Sequence, residues 1–100
     1  MTRPTLAAAA ASRVGTLSAG RVIGFMVSWS ICRDALGHSP SIEEYTEFWG
    51  EHERTVYRHQ ARFREAFPGE DTPDRLLDAA AAAWDRRQGV AALSSVPMVA

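Results

Sequence analysis

Between Arg21 and Arg33 stand eleven consecutive residues without a formal charge, Val22 to Cys32. Val22, Ile23, Phe25, Met26, Val27, Trp29 and Ile31 make this stretch apolar over most of a helical circumference, and Leu36 extends it. A membrane-spanning helix needs about 20 apolar residues, so eleven between two arginines are too few. The pattern predicts a helix over 20–37, buried in a core or held at an interface, with Gly37 as its stop. Any fold this chain adopts has to cover that helix.

A chain of 100 residues is one domain's worth, and 46% hydrophobic with 23% charged residues is ordinary for a globular protein. That balance excludes a disordered acidic chain, a collagen-like fibre and a disulfide scaffold. Cys32 is the only cysteine, so no internal disulfide forms; the expected setting is a reducing one and the thiol a small buried hydrophobe. The core is too small for a large enzyme with a deep pocket. No Ser/His/Asp set, phosphate loop or carboxylate pair stands out, so the expectation is no enzyme. His38, His52, His59 and Cys32 match no zinc spacing, and neither metal nor cofactor is expected.

Residues 1–18 read as a flexible N-terminal tail. Thr2, Pro4, Ser12, Gly15 and Ser18 flank an alanine run whose one large apolar side chain is Leu6. The stretch from Leu6 to Ala11 is too weakly apolar for a secretory signal, which points to the cytoplasm. The domain proper spans 19–88. Within it Ser41-Ile42-Glu43-Glu44 fits a capping box, opening a short helix that carries Ile42, Tyr45, Phe48 and Trp49 and ends at Gly50. A further helix covers about 53–67, with Val56, Gln60, Phe63 and Phe67 on one face and Pro68-Gly69 beyond it. The last runs over 73–88, started by Thr72, Pro73 and Asp74 and closed by Gly89. Leu76, Leu77, Ala80, Ala81 and Trp84 form its apolar face. Residues 89–100 read as a second flexible tail. Trp29, Trp49 and Trp84 are all expected in the core.

Charge is unevenly placed along the chain. Residues 1–33 hold Arg3, Arg13, Arg21 and Arg33 and no acid. Residues 34–53 hold Asp34, Glu43, Glu44, Glu47, Glu51 and Glu53 and neither lysine nor arginine. Arg54, Arg58, Arg62 and Arg64 then crowd into eleven residues. Arg54, Arg58 and Arg62 recur every fourth residue, opposite the Val56–Phe63 face, and form a ridge on the outer side of the 53–67 helix. Such a ridge is either a solvated face or a polyanion contact.

The segment from Ile42 to His59 resembles, without a gap, the helix-turn-helix of small DNA-binding transcriptional regulators of actinobacterial or phage type. That family has a small residue in its first helix, a glycine four residues on, and a branched apolar residue six beyond that. Thr46, Gly50 and Val56 stand in those places, and the resemblance extends from Ile42 to Phe63. Glu51 and His52 depart from the usual apolar residue and small cap in the turn, and Gln60 stands where leucine is usual.

The resemblance implies an all-α, four-helix domain built around a helix-turn-helix. It further implies sequence-specific binding of double-stranded DNA, with the 53–67 helix in the major groove. His52, Glu53, Arg54, Thr55, Tyr57 and Arg58 then face the groove. Arg54 and Arg58 are suited to guanine, Glu53 to a cytosine amino group, and Thr55 to a base or a phosphate. Tyr57, Arg62 and Arg64 are placed for phosphates. The alternative is a helical protein–protein module, a homodimer or a partner complex formed through the apolar 20–37 helix without DNA contact.

Overall fold

Thr5 accepts the Ala8 N–H on its hydroxyl at 3.0 Å, and a helix begins there. The computed structural model describes residues 5–95, with side chains described through Gln88. Five helices follow in order: α1 Leu6–Val14, α2 Thr16–Leu36, α3 Ile42–Trp49, α4 Glu53–Ala66 and α5 Asp74–Ser95. Among the described residues there is no strand.

The first helix is a correction to the sequence reading, which placed all of 1–18 in a tail. α1 occupies Leu6–Val14, and α2 starts at Thr16 rather than at residue 20. Alanine is the best helix former, and it lets backbones approach closely because it has so little side chain. Ala10 is completely buried, and α1 packs on both α2 and α4. Gly15 joins the first two helices at φ +86°, a conformation a glycine adopts cheaply, with its N–H donating to the Ala11 carbonyl at 2.9 Å.

α2 is the central element and meets each of the other four helices. Val22, Phe25, Met26, Trp29 and Cys32 recur at helical spacing and are all buried. The opposite side is open: Val27 is 53% and Ile31 48% exposed. One stripe of α2 is therefore core, Ile23 and Leu36 lie half-buried against it, and Val27 and Ile31 are uncovered.

Aromatic rings fill the core between α2, α3 and α4. Tyr45 stacks on Trp29 with centroids 5.3 Å apart, and Phe25 meets Tyr45 edge-on at 5.6 Å and Phe63 at 6.1 Å. These are separations at which aromatic pairs attract beyond simple burial. Burial pushes the Tyr45 hydroxyl up to about 12, and the Glu51 charge adds to the shift. Burial, then the Glu44 charge, raises the Cys32 thiol.

α5 corrects the reading at the other end of the chain. It does not close at Gly89 but continues to Ser95, since one interior glycine costs only about 1 kcal/mol and Ala91, Ala92 and Leu93 follow it. Residues 1–4 and 96–100 of the expected tails lie outside the described residues. Trp84, expected in the core, is 59% exposed. The cause is geometric: among the described residues α5 packs on α2 alone, and from Asp78 to Gln88 every side chain but Ala83 is exposed.

Candidate nucleic-acid interface

Ser41 opens α3 by accepting the Glu44 N–H at 3.1 Å, while the Glu44 carboxylate accepts the Ser41 N–H at 3.0 Å. This reciprocal pair satisfies two N–H groups that a helix start leaves free. The Ser41 backbone hydrogen bond, then a 2.7 Å contact with His38 Nε2, holds the Glu44 carboxyl below its ordinary value. α3 stops at Gly50, which takes the left-handed conformation at φ +67°. α4 starts three residues later, and its N-cap is His52, whose Nδ1 accepts the Arg54 N–H at 3.1 Å. The imidazole thus supplies the cap that a serine more often provides. Glu53 lies in the first turn of α4, where a negative charge suits the positive helix end.

Val56, Gln60, Phe63 and Ala66 form the buried face of α4. Gln60 is the polar member, and its amide donates to the Asp71 carbonyl at 2.9 Å. That bond ties the α4–α5 connection to the helix, a task a leucine cannot perform. At 100° per residue, Arg54 and Arg58 lie directly opposite the buried face, with Glu65 on the line between them, Ala61 beside Arg54 and Arg62 beside Arg58. Arg54, Tyr57, Arg58 and Arg64 are exposed, as are His52 and Glu53; Thr55 and Arg62 are half-buried. Six of the eight residues singled out from the sequence therefore reach solvent, on the outward face of α4 and around its start.

Arg64 approaches Asp71 at 3.4 Å, with both side chains more than half exposed, a kind of pair that holds little energy in water. Among the described residues, Arg54, Arg58 and Arg62 have no carboxylate within ion-pair distance. Glu65 is an acid on the same outward line, and α3 exposes Glu43 and Glu47.

Glu51, in the turn, is half-buried, with its side chain 37% exposed. Its Oε2 is buried without a hydrogen-bond partner and lies 4.0 Å from His59 Nε2. His59 in turn stacks on Phe25 with 20° between the ring planes. Glu51 and His59 line a small cavity of about 280 Å³ with Arg21, Phe25, Ser28 and Tyr45. Trp49 sits beside the turn at 37% exposure, its indole N–H donating to the Ser28 carbonyl at 3.2 Å, and Phe48 packs edge-on against it. Neither ring is in the core expected for Trp49.

Two features escaped the sequence reading. One is Asp74, at the root of α5. It accepts the Trp29 indole N–H at 2.9 Å and the Thr72 hydroxyl at 2.8 Å, and it also takes hydrogen bonds from Ser39 and Arg33. Partial burial pushes its carboxyl up, but the Ser39, Trp29 and Thr72 hydrogen bonds and the Arg33 charge outweigh that, and the net shift is downward. The other is an apolar groove of about 480 Å³ between α1, α2 and α5, walled by Leu6, Ile23, Val27, Ile31 and Leu77. Its α2 side is legible as the i, i+4, i+8 spacing of Ile23, Val27 and Ile31, but the α1 wall is not, because that segment has no apolar periodicity.

Among the described residues no three His, Cys, Asp or Glu side chains are grouped to hold a metal ion. No helix among them is long and apolar enough to cross a membrane. The chain matches no family model, no curated protein and no solved structure.

Proposed function

We propose that the protein binds double-stranded DNA sequence-specifically as a small helix-turn-helix regulator, with α4 as its recognition helix. The observation that carries this reading is the pair Arg54 and Arg58. They stand one turn apart on the outermost line of α4, open to solvent and without a carboxylate partner among the described residues. A guanidinium presents two parallel donors that match guanine O6 and N7, and each such contact is worth about 1–3 kcal/mol of discrimination. The left-handed Gly50 turn between a capped α3 and α4 supports the same reading. So does the burial of Glu51 Oε2, which turns one carboxylate oxygen of the 34–53 block away from an approaching phosphate. Arg64 and Tyr57 flank the ridge and suit phosphate oxygens, which fix register without reading sequence.

The test is fluorescence anisotropy of the full chain against a pool of short duplexes, titrated in salt. The expected result is a preferred sequence and a log K that falls with log salt by about 0.9 per neutralised phosphate. Arg58→Ala is expected to relax the preference at one base pair. Absence of binding at low salt, or an Arg58→Ala protein with unchanged affinity and preference, overturns the reading. The second reading, association through the 20–37 helix, is favoured by a different observation, the exposed side of α2 at Val27 and Ile31.

A further inference from the structure

Leu77 belongs to two apolar surfaces at once. It closes the groove against Leu6, Val27 and Ile31, and it begins a stripe on α5 that continues through Ala80, Ala81 and Trp84. Among the described residues, no side chain fills the groove. Trp84 is a large side chain, 59% exposed, on a helix segment whose described side chains are exposed from Asp78 to Gln88 except Ala83. Socket and projection are thus continuous on one face of the molecule.

We propose that the groove is filled by Trp84 of a second copy, and the second copy's groove by Trp84 of the first, in a two-fold symmetric homodimer. An isologous pair uses each surface twice, so a face that carries both a projection and its socket is self-complementary. Leu6, Val27, Ile31 and Trp84 of each copy, all at least a third exposed in the single chain, leave water together. A tryptophan seated in an apolar pocket is the commonest kind of interface anchor.

Charge sets the direction. Asp34 follows Ile31 on α2 by three residues, and Arg87 follows Trp84 on α5 by three, a rise of about 4.5 Å in each case. Both charges are exposed, and neither has an ion-pair partner among the described residues. With Trp84 against Ile31 of the other copy, and α5 running in the same direction as that copy's α2, Arg87 comes beside Asp34. The opposite direction carries Arg87 toward Ile23, over apolar surface, where an unpaired charge is costly.

This inference is independent of the DNA reading, and its test uses no DNA. Sedimentation equilibrium of the full chain at micromolar concentration is expected to give a reversible dimer. Trp84→Ala is expected to raise the dimer Kd about 30-fold, the usual effect of truncating an interface anchor. Val27→Glu is expected to abolish the dimer. Asp34→Arg and Arg87→Asp each weaken it, and the two together restore it, a rescue that a purely structural role for either residue does not produce. Circular dichroism checks that each variant keeps its helices. A chain that stays monomeric at all concentrations overturns the inference. So does a dimer whose Kd ignores Trp84→Ala, and so does a charge-swapped pair no better than its single variants.

Discussion

The Trp29 indole N–H donates to Asp74 Oδ1 at 2.9 Å, joining the middle of α2 to the first residue of α5 across 45 residues of sequence. Trp29 is completely buried, and its N–H reaches outward only to this carboxylate, which is itself about a quarter exposed. Asp74→Ala is therefore expected to cost about 1–3 kcal/mol of stability, the usual price of a buried donor left without an acceptor. Trp29→Phe removes the donor itself and is expected to lose mainly packing and volume. Urea denaturation of the two single variants and the double variant checks this. A coupling energy near zero between the sites contradicts it.

The same carboxylate makes stability depend on acid. The folded Asp74 carboxyl lies below its ordinary 3.8, so its contribution is fully present at neutral pH. It begins to fade as pH falls toward 3.8 and is lost once pH has fallen through the lower folded value. Thermal melts across the acid range are expected to show this loss, and Asp74→Asn is expected to flatten the profile there.

Tyr45 governs the alkaline side with the opposite sign. Its hydroxyl ionises at about 12 in the folded chain against an ordinary 10.0, so the neutral form is favoured by folding. That contribution is complete below pH 10 and disappears as pH rises through 12. Absorbance titration is expected to show Tyr45 ionising together with unfolding, and Tyr45→Phe is expected to remove that coupling.

Gly50 tests the turn between α3 and α4. A Cβ placed there meets no atom within 4 Å, so the cost of Gly50→Ala comes from the backbone alone. A left-handed conformation costs an L-residue about 1–2 kcal/mol, and denaturation is expected to return a loss in that range.

Arginines on α4 are expected to separate into two kinds when DNA is titrated. Arg54→Ala and Arg58→Ala should relax sequence preference. Arg64→Ala should weaken all duplexes alike and reduce the salt slope by about 1. His52→Ser keeps an acceptor at the helix cap while removing the imidazole, and His52→Ala removes both. Comparing the two in the anisotropy assay tells capping from contact.

The helices with clear punctuation were legible in the sequence. Ser41, Glu44 and Gly50 bound α3 as the capping box and the glycine stop imply, and Val56 and Phe63 mark the buried side of α4. α1 was illegible for a physical reason: it packs through Ala10, whose fit depends on the shape of α2 and α4 rather than on any apolar period. Trp84 misled because a tryptophan at helical spacing signals an apolar face without saying what covers it. At the candidate interface, the exposure of Arg54 and Arg58 follows from helical angle alone. The burial of Glu51 Oε2 and the tether from Gln60 to Asp71 depend on contacts across the fold that no local pattern encodes.

The Gly15 bend also sets an order of events during synthesis. α1 leaves the ribosome before α4, yet part of its seat is α4, which begins 38 positions after Gly15. Until α4 has emerged, Ala10 has only α2 to lean on, and α1 cannot reach its final packing. α1 therefore completes its docking only after α4 exists.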